Sequence, residues 1–133
     1  MDRFKQNGFV VLISVLIVAA IGTTLAVALL LLGVGALRTS FTLGLSAQAR
    51  ALADGCAERA LQSLRLDISY SGSESFMLGN GVCTILPVGG SGNAGRVIQA
   101  IGQSANVVRK VEVVIGQVRP KVVIASWDEV ADF

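Results

Sequence analysis

No histidine occurs anywhere in this chain. Its absence removes the commonest general base and the commonest metal ligand together. Cysteine is nearly as scarce, with Cys56 and Cys83 alone, and two thiols without histidine make a poor metal site. Charges after Arg38 are scattered singly, with no basic stripe and no interleaved aromatics, which leaves nucleic-acid binding without support. A calcium loop of the Asp-x-Asp-x-Asp-Gly type is missing as well. The glycine-rich stretch Gly89–Gly95 is not closed by Gly-Lys-Ser/Thr and leads into no helix signal, so it reads as a flexible turn. With no nucleophile motif and no carboxylate pair on a recognisable scaffold, neither an enzyme nor a cofactor is expected.

The longest gap is one of charge. From Phe9 to Leu37, 29 consecutive residues include no Asp, Glu, Lys or Arg. As a helix they would span roughly 44 Å, against a hydrocarbon core of about 30 Å. A chain of 133 residues holds one domain, and its remainder could not cover so long a soluble helix all round. The segment is therefore expected to cross a membrane and touch lipid. Arg3 and Lys5 precede it while Arg38 and Arg50 follow it, so the positive-inside comparison is nearly balanced and does not orient the helix.

Beyond Arg38 the apolar pattern changes from continuous to striped. Leu45, Ala49, Leu52, Cys56, Ala60 and Leu64 recur at helical spacing on one face. Asp54 and Glu58 with Arg50, Arg59 and Arg65 read as a solvated face, with surface pairs worth a few tenths of a kcal/mol each. One helix is thus expected from about Phe9 to about Leu66, amphipathic in its second half. Gly22, Thr23 and Thr24 interrupt the apolar half. Glycine weakens a helix by about 1 kcal/mol relative to Ala, so this is either a soft point or a place for close helix packing, and Gly33 and Gly35 read the same way.

Ser69 to Gly81 is rich in Ser, Gly and Asn and reads as a loop, with Phe76, Met77 and Leu78 tucked onto the core. Strand-like runs follow at Gly81–Val88, Arg96–Gln103, Val107–Gln117 and Lys121–Trp127, with Gly102 to Asn106 separating the second from the third. Val111, Val113 and Ile115 alternate with Lys110 and Glu112, and the short connections favour an antiparallel meander packed on the helical stripe. The fold class is therefore α+β: a long N-terminal helix, transmembrane and then amphipathic, against a small antiparallel sheet. Trp127, near Asp128, Glu129 and Asp132, is expected to pack over a sheet edge, the alternative being a docking tail.

The N-terminus carries a family resemblance. Lys5-Gln6-Asn7-Gly8-Phe9, followed at once by the apolar run, resembles the leader and cleavage site of type IV prepilins. The resemblance implies that a prepilin peptidase cuts between Gly8 and Phe9 and that Phe9 is then N-methylated. Most pilins carry a glutamate at the fifth mature position, where this chain has Ile13, with Ser14 beside it. A carboxylate at that depth costs about 2.5–3.5 kcal/mol to insert, whereas Ile is favourable by about 0.3–0.6. In lacking it the chain is similar to minor pilins and pseudopilins of the PilX and GspK kind.

The implied organisation is a leader at 1–8, a transmembrane half-helix at 9–37, an amphipathic half at 38–67 and an extracytoplasmic β-domain at 68–133. The implied function is a structural subunit of a type IV pilus or pseudopilus. It would sit in the cytoplasmic membrane first and in a cell-surface filament afterwards, assembled through its helix at Phe9, Ile13, Ser14 and Gly22. Its partners would be other pilin subunits, the prepilin peptidase, an assembly platform and membrane lipid. An uncleaved, single-pass anchored binding domain is the alternative. Outside the cytoplasm, Cys56 on the helical stripe and Cys83 in the first strand suggest a disulfide, with two free buried thiols as the other possibility.

Overall fold

A computed structural model describes the backbone from residue 3 to residue 133 and the side chains from residue 8 onward. It divides into two compact units, one ending at Phe41 and one comprising Thr42–Phe133. A single helix, α1 (Arg3–Leu66), contributes to both. No proline occurs before Pro87 to break it. The helix runs unbroken through Gly22, Thr23 and Thr24. Its start at Arg3 also places Gly8 inside the helix, ahead of the expected boundary.

The C-terminal end of α1 is closed by side chains. Ser69 donates its backbone N–H and its hydroxyl to Asp67 Oδ1, at 2.9 and 2.6 Å. Those two bonds hold the Asp67 carboxyl below its ordinary value. Arg119 Nη2 donates to the carbonyls of Leu66 and Arg65 at 2.9 and 3.3 Å, satisfying terminal acceptors that the helix cannot.

Five strands follow: β1 (Glu74–Leu78), β2 (Gly81–Ile85), β3 (Ala94–Ser104), β4 (Val107–Gln117) and β5 (Val123–Val130). They pair in sequence order, each antiparallel to the next. The meander is the expected one, but it has an extra strand. β1 lies inside the segment read as a loop. It closes on β2 through Gly79 and Asn80, with Leu78 opposite Gly81. Gly79 at φ 60° supplies the first position of such a two-residue hairpin turn. Gly102 is likewise no separator: β3 continues to Ser104, which pairs with Val107, so the β3–β4 loop is Ala105 and Asn106.

Within the second unit the expected stripe faces the sheet. Ala49, Cys56, Ala60 and Leu64 are fully buried and Leu52 nearly so, joined by Ala53 and Ala57. From the sheet come Cys83, Ile85, Ile98, Ala100, Val111, Val113 and Ile115, the alternating inward positions of β2, β3 and β4. Alanines on the helix let the backbones come close. A β-carbon added at Gly102 would lie 2.3 Å from both Ala49 O and Ala53 N. Cys56 and Cys83 form a disulfide with 5.7 Å between their Cα atoms, joining the helix to β2.

Polar groups lock the same interface. Trp127 packs on the core and its indole N–H donates to Asp54 Oδ1 at 2.9 Å, which bears out the packed reading of this residue. Arg50 pairs with Glu129 at 3.4 Å, Arg109 with the same carboxylate at 3.1 Å, and Ser104 donates to Gln48 at 2.8 Å. Arg59 lies over the Phe76 ring, 4.1 Å from its centroid. The helix charges Arg50, Asp54 and Arg59 therefore reach across to the sheet, where the sequence suggested pairs along the helix itself.

Candidate functional site

The feature without an internal structural role is the apolar part of α1. From Phe9 to Phe41 its large side chains are exposed: Phe9 at 64%, Leu16 at 61% and Leu32 at 71%. Burying a side chain of this size is worth about 1.5–3 kcal/mol, and here nothing in the first unit buries them. The helix is long and apolar enough to cross a membrane, and its most apolar stretch is wholly unburied. Its surface calls for an apolar environment.

Four hydroxyl side chains on that surface turn back onto their own backbone. Ser14 donates to Val10 O at 2.8 Å, Thr23 to Ala20 O at 2.9 Å, Thr24 to Ile21 O at 2.8 Å and Thr39 to Gly35 O at 3.1 Å. A hydroxyl satisfied this way can enter hydrocarbon without an orphaned donor. Around Gly22, Gly33 and Gly35 nothing lies within 4 Å of where a β-carbon would be, so each leaves a notch into which a neighbouring helix could settle.

Gly8 and Phe9, the expected processing residues, lie in continuous helix and are exposed. Attack on the bond between them would first require local unwinding, which glycine eases by about 1 kcal/mol. Ile13 is less exposed than its neighbours, at 39%. Met1 and Asp2 of the expected leader lie outside the described residues, as do the side chains of Arg3 and Lys5.

Sequence reasoning missed several residues of the second unit. Arg96 is 5% exposed and donates from Nη1 and Nη2 to the carbonyls of Ile68 and Tyr70, at 3.1 and 3.0 Å. It thereby fixes the segment between α1 and β1. Asn93, within the glycine-rich turn, exchanges two hydrogen bonds with the backbone of Arg119, at 2.8 and 2.7 Å. Gly90, Gly92 and Gly95 of that turn all have positive φ, the conformation glycine adopts at no steric cost. An arginine or asparagine reaching a backbone carbonyl leaves no periodic trace in a sequence. Among the described residues no group of three or more His, Cys, Asp or Glu comes together as a metal site would require.

Comparison of the chain with protein-family models, with curated proteins and with solved structures finds no match. The likeness to pilins therefore stands on the architecture: a long apolar N-terminal helix packed on a five-stranded antiparallel sheet, with a disulfide between them.

Proposed function

We propose that this chain is a structural subunit, of the minor-pilin or pseudopilin kind, in a type IV pilus or related filament. The observation that carries the reading is the wholly exposed apolar stretch of α1, continuous with a helix face that is fully used by a small disulfide-linked sheet unit. Lipid would solvate the apolar stretch before assembly, and the helices of sister subunits would take its place afterwards. The function lies in assembly and surface contacts, with no catalytic residue in the chain. Its partners on this reading are other pilin subunits, a prepilin peptidase and an assembly platform. It begins as a single-pass protein with the sheet unit outside the cytoplasm.

Ile13, where pilins carry a carboxylate, favours a subunit that recruits few neighbours. The same residue suits the second reading, an uncleaved membrane-anchored binding domain. Co-expression with a prepilin peptidase separates the two. Loss of the Met1–Gly8 mass together with a methyl gain on Phe9 is the expected result. An intact mass that keeps Met1–Gly8 under those conditions favours the anchor.

A further inference from the structure

The sheet unit exposes a group of apolar side chains at one of its ends. That end is built around the first residues of the unit's own helical part. Ser104 donates to Gln48 and Arg109 to Ser46, at 2.8 and 3.1 Å, which sets the turn at Ala105 and Asn106 beside them. A β-carbon on Gly81 would run into Leu52, so the turn at Gly79 and Asn80 lies at the same end. Leu43, Met77, Leu78, Val108 and Phe133 are exposed there, Met77 at 69%. Neither turn carries a charge. The carboxylates beside them, Glu129 and Asp132, are ion-paired with Arg50, Arg109 and Lys110.

These positions are not confined to one face. Met77, Val82, Gln103 and Val108 form a single row across four strands, on the side away from the helix. Leu78 follows Met77 onto the opposite face, toward Gly55, and Leu43 belongs to the helix itself. A rigid partner laid on the sheet would cover one side only, whereas a fluid apolar medium takes in both. The chain supplies that medium by tether. Thr42 is bonded to Phe41, where the exposed apolar stretch stops, and Ser46 lies only about 6 Å further along the helix. This covalent link alone keeps that end of the sheet unit closest to the lipid.

We propose that, before assembly, this end of the sheet unit seats on the bilayer surface, with Met77, Leu78, Val108 and Phe133 in the headgroup layer. Amphipathic segments seat their apolar side chains about 5–10 Å into the boundary between headgroups and acyl chains. Lipid then holds the chain at a second place besides the apolar stretch of α1, and transfer into a filament has to release both. The proposal rests on the membrane reading of α1 and adds to it a lipid contact made by the sheet unit.

The full-length chain, reconstituted in vesicles of phosphatidylcholine and phosphatidylglycerol, tests this by depth-dependent fluorescence quenching. Cys56 and Cys83 are joined, so a single added cysteine alone takes the label. Met77→Cys and Val108→Cys report the contact. Val123→Cys is the control at the far end, since Val123 pairs with Gln117, about 30 Å along β4 from Val108. Leu16→Cys reports insertion of α1 separately. Lipids with a nitroxide near the headgroup should quench Met77→Cys and Val108→Cys about three-fold more than Val123→Cys, as a seat at that depth requires. Adding Met77→Glu, which puts a charge into the layer, should lower the quenching at Val108→Cys about two-fold; an unchanged value means nearness without a seat and overturns the proposal. Equal quenching at Met77→Cys, Val108→Cys and Val123→Cys, with Leu16→Cys quenched by nitroxides deeper in the acyl chains, overturns the seat and leaves the membrane reading standing. No quenching at Leu16→Cys or at the other sites overturns the two together. Shielding of Met77→Cys that fades as the protein is diluted in lipid assigns the surface to a second copy, against the proposal.

Discussion

At Gly102 the backbone of β3 touches the helix directly, since an added β-carbon would fall 2.3 Å from Ala49 O and 2.9 Å from Ala53 Cα. Backbone atoms cannot swing aside as a side-chain tip can. Gly102→Ala should therefore destabilise the second unit by about 3 kcal/mol, the upper end of the range for overpacking. Gly116→Ala is the matched control, because its β-carbon would meet only Val123 O at 3.7 Å. Thermal unfolding of the detergent-held protein compares the two. A second prediction concerns Tyr70, the only tyrosine. Burial, helped by the nearby Glu74 carboxylate, pushes its phenol up to about 12 from an ordinary 10.0. The folded state thus favours the neutral phenol. Its stabilising contribution is complete below pH 10 and is lost as pH climbs through about 12. Tyrosinate absorbance should titrate near pH 12 in the native protein and near 10 once it is unfolded; a native midpoint near 10 would contradict the buried phenol.

Helix and sheet depend on each other, and the disulfide ties one to the other across 27 residues of sequence. Closing a loop of that size is worth about 3.5 kcal/mol in the chain-entropy description. Replacing both Cys56 and Cys83 by Ala should cost at least that much, read as a lower midpoint for loss of sheet signal in denaturant. The helix stripe was legible beforehand because 3.6-residue periodicity in Leu and Ala survives any tertiary context, and β4 because its Val and Ile alternate cleanly. β1 was not. Glu74-Ser-Phe-Met-Leu78 has mixed composition and sits among Ser and Gly, and it becomes a strand only by pairing with β2. Gly102 looked like punctuation since glycine more often ends a strand than marks where another backbone presses on it. The reach of Arg50, Asp54 and Arg59 to the sheet depended on distances that no linear pattern encodes.

For the whole molecule, the decisive property is how unevenly apolar surface is distributed. One unit packs an apolar core of its own; the other has nothing to place over Phe9 to Phe41. An integral protein stays with the membrane when peripheral contacts are stripped at alkaline pH. We expect all of this chain in the pellet after carbonate extraction, and its release only by detergent. Recovery in the carbonate supernatant would count against a membrane-spanning α1. The long apolar helix was legible from charge alone, since 29 residues without one make a segment long enough to cross a bilayer. Its detailed surface was not: that Ser14, Thr23, Thr24 and Thr39 hide their hydroxyls on their own backbone depends on side-chain rotamers that composition does not encode.

The bridge between Cys56 and Cys83 also sets a path for force. A pull transmitted along α1 reaches Cys56 and crosses into β2 through a covalent bond. The last helical turns, the segment held by Arg96 and the whole of β1 lie in a side loop, shielded from extension however hard the chain is loaded. Tension is handed straight to β2, one strand in from the edge, and spreads from there through its pairing with β3.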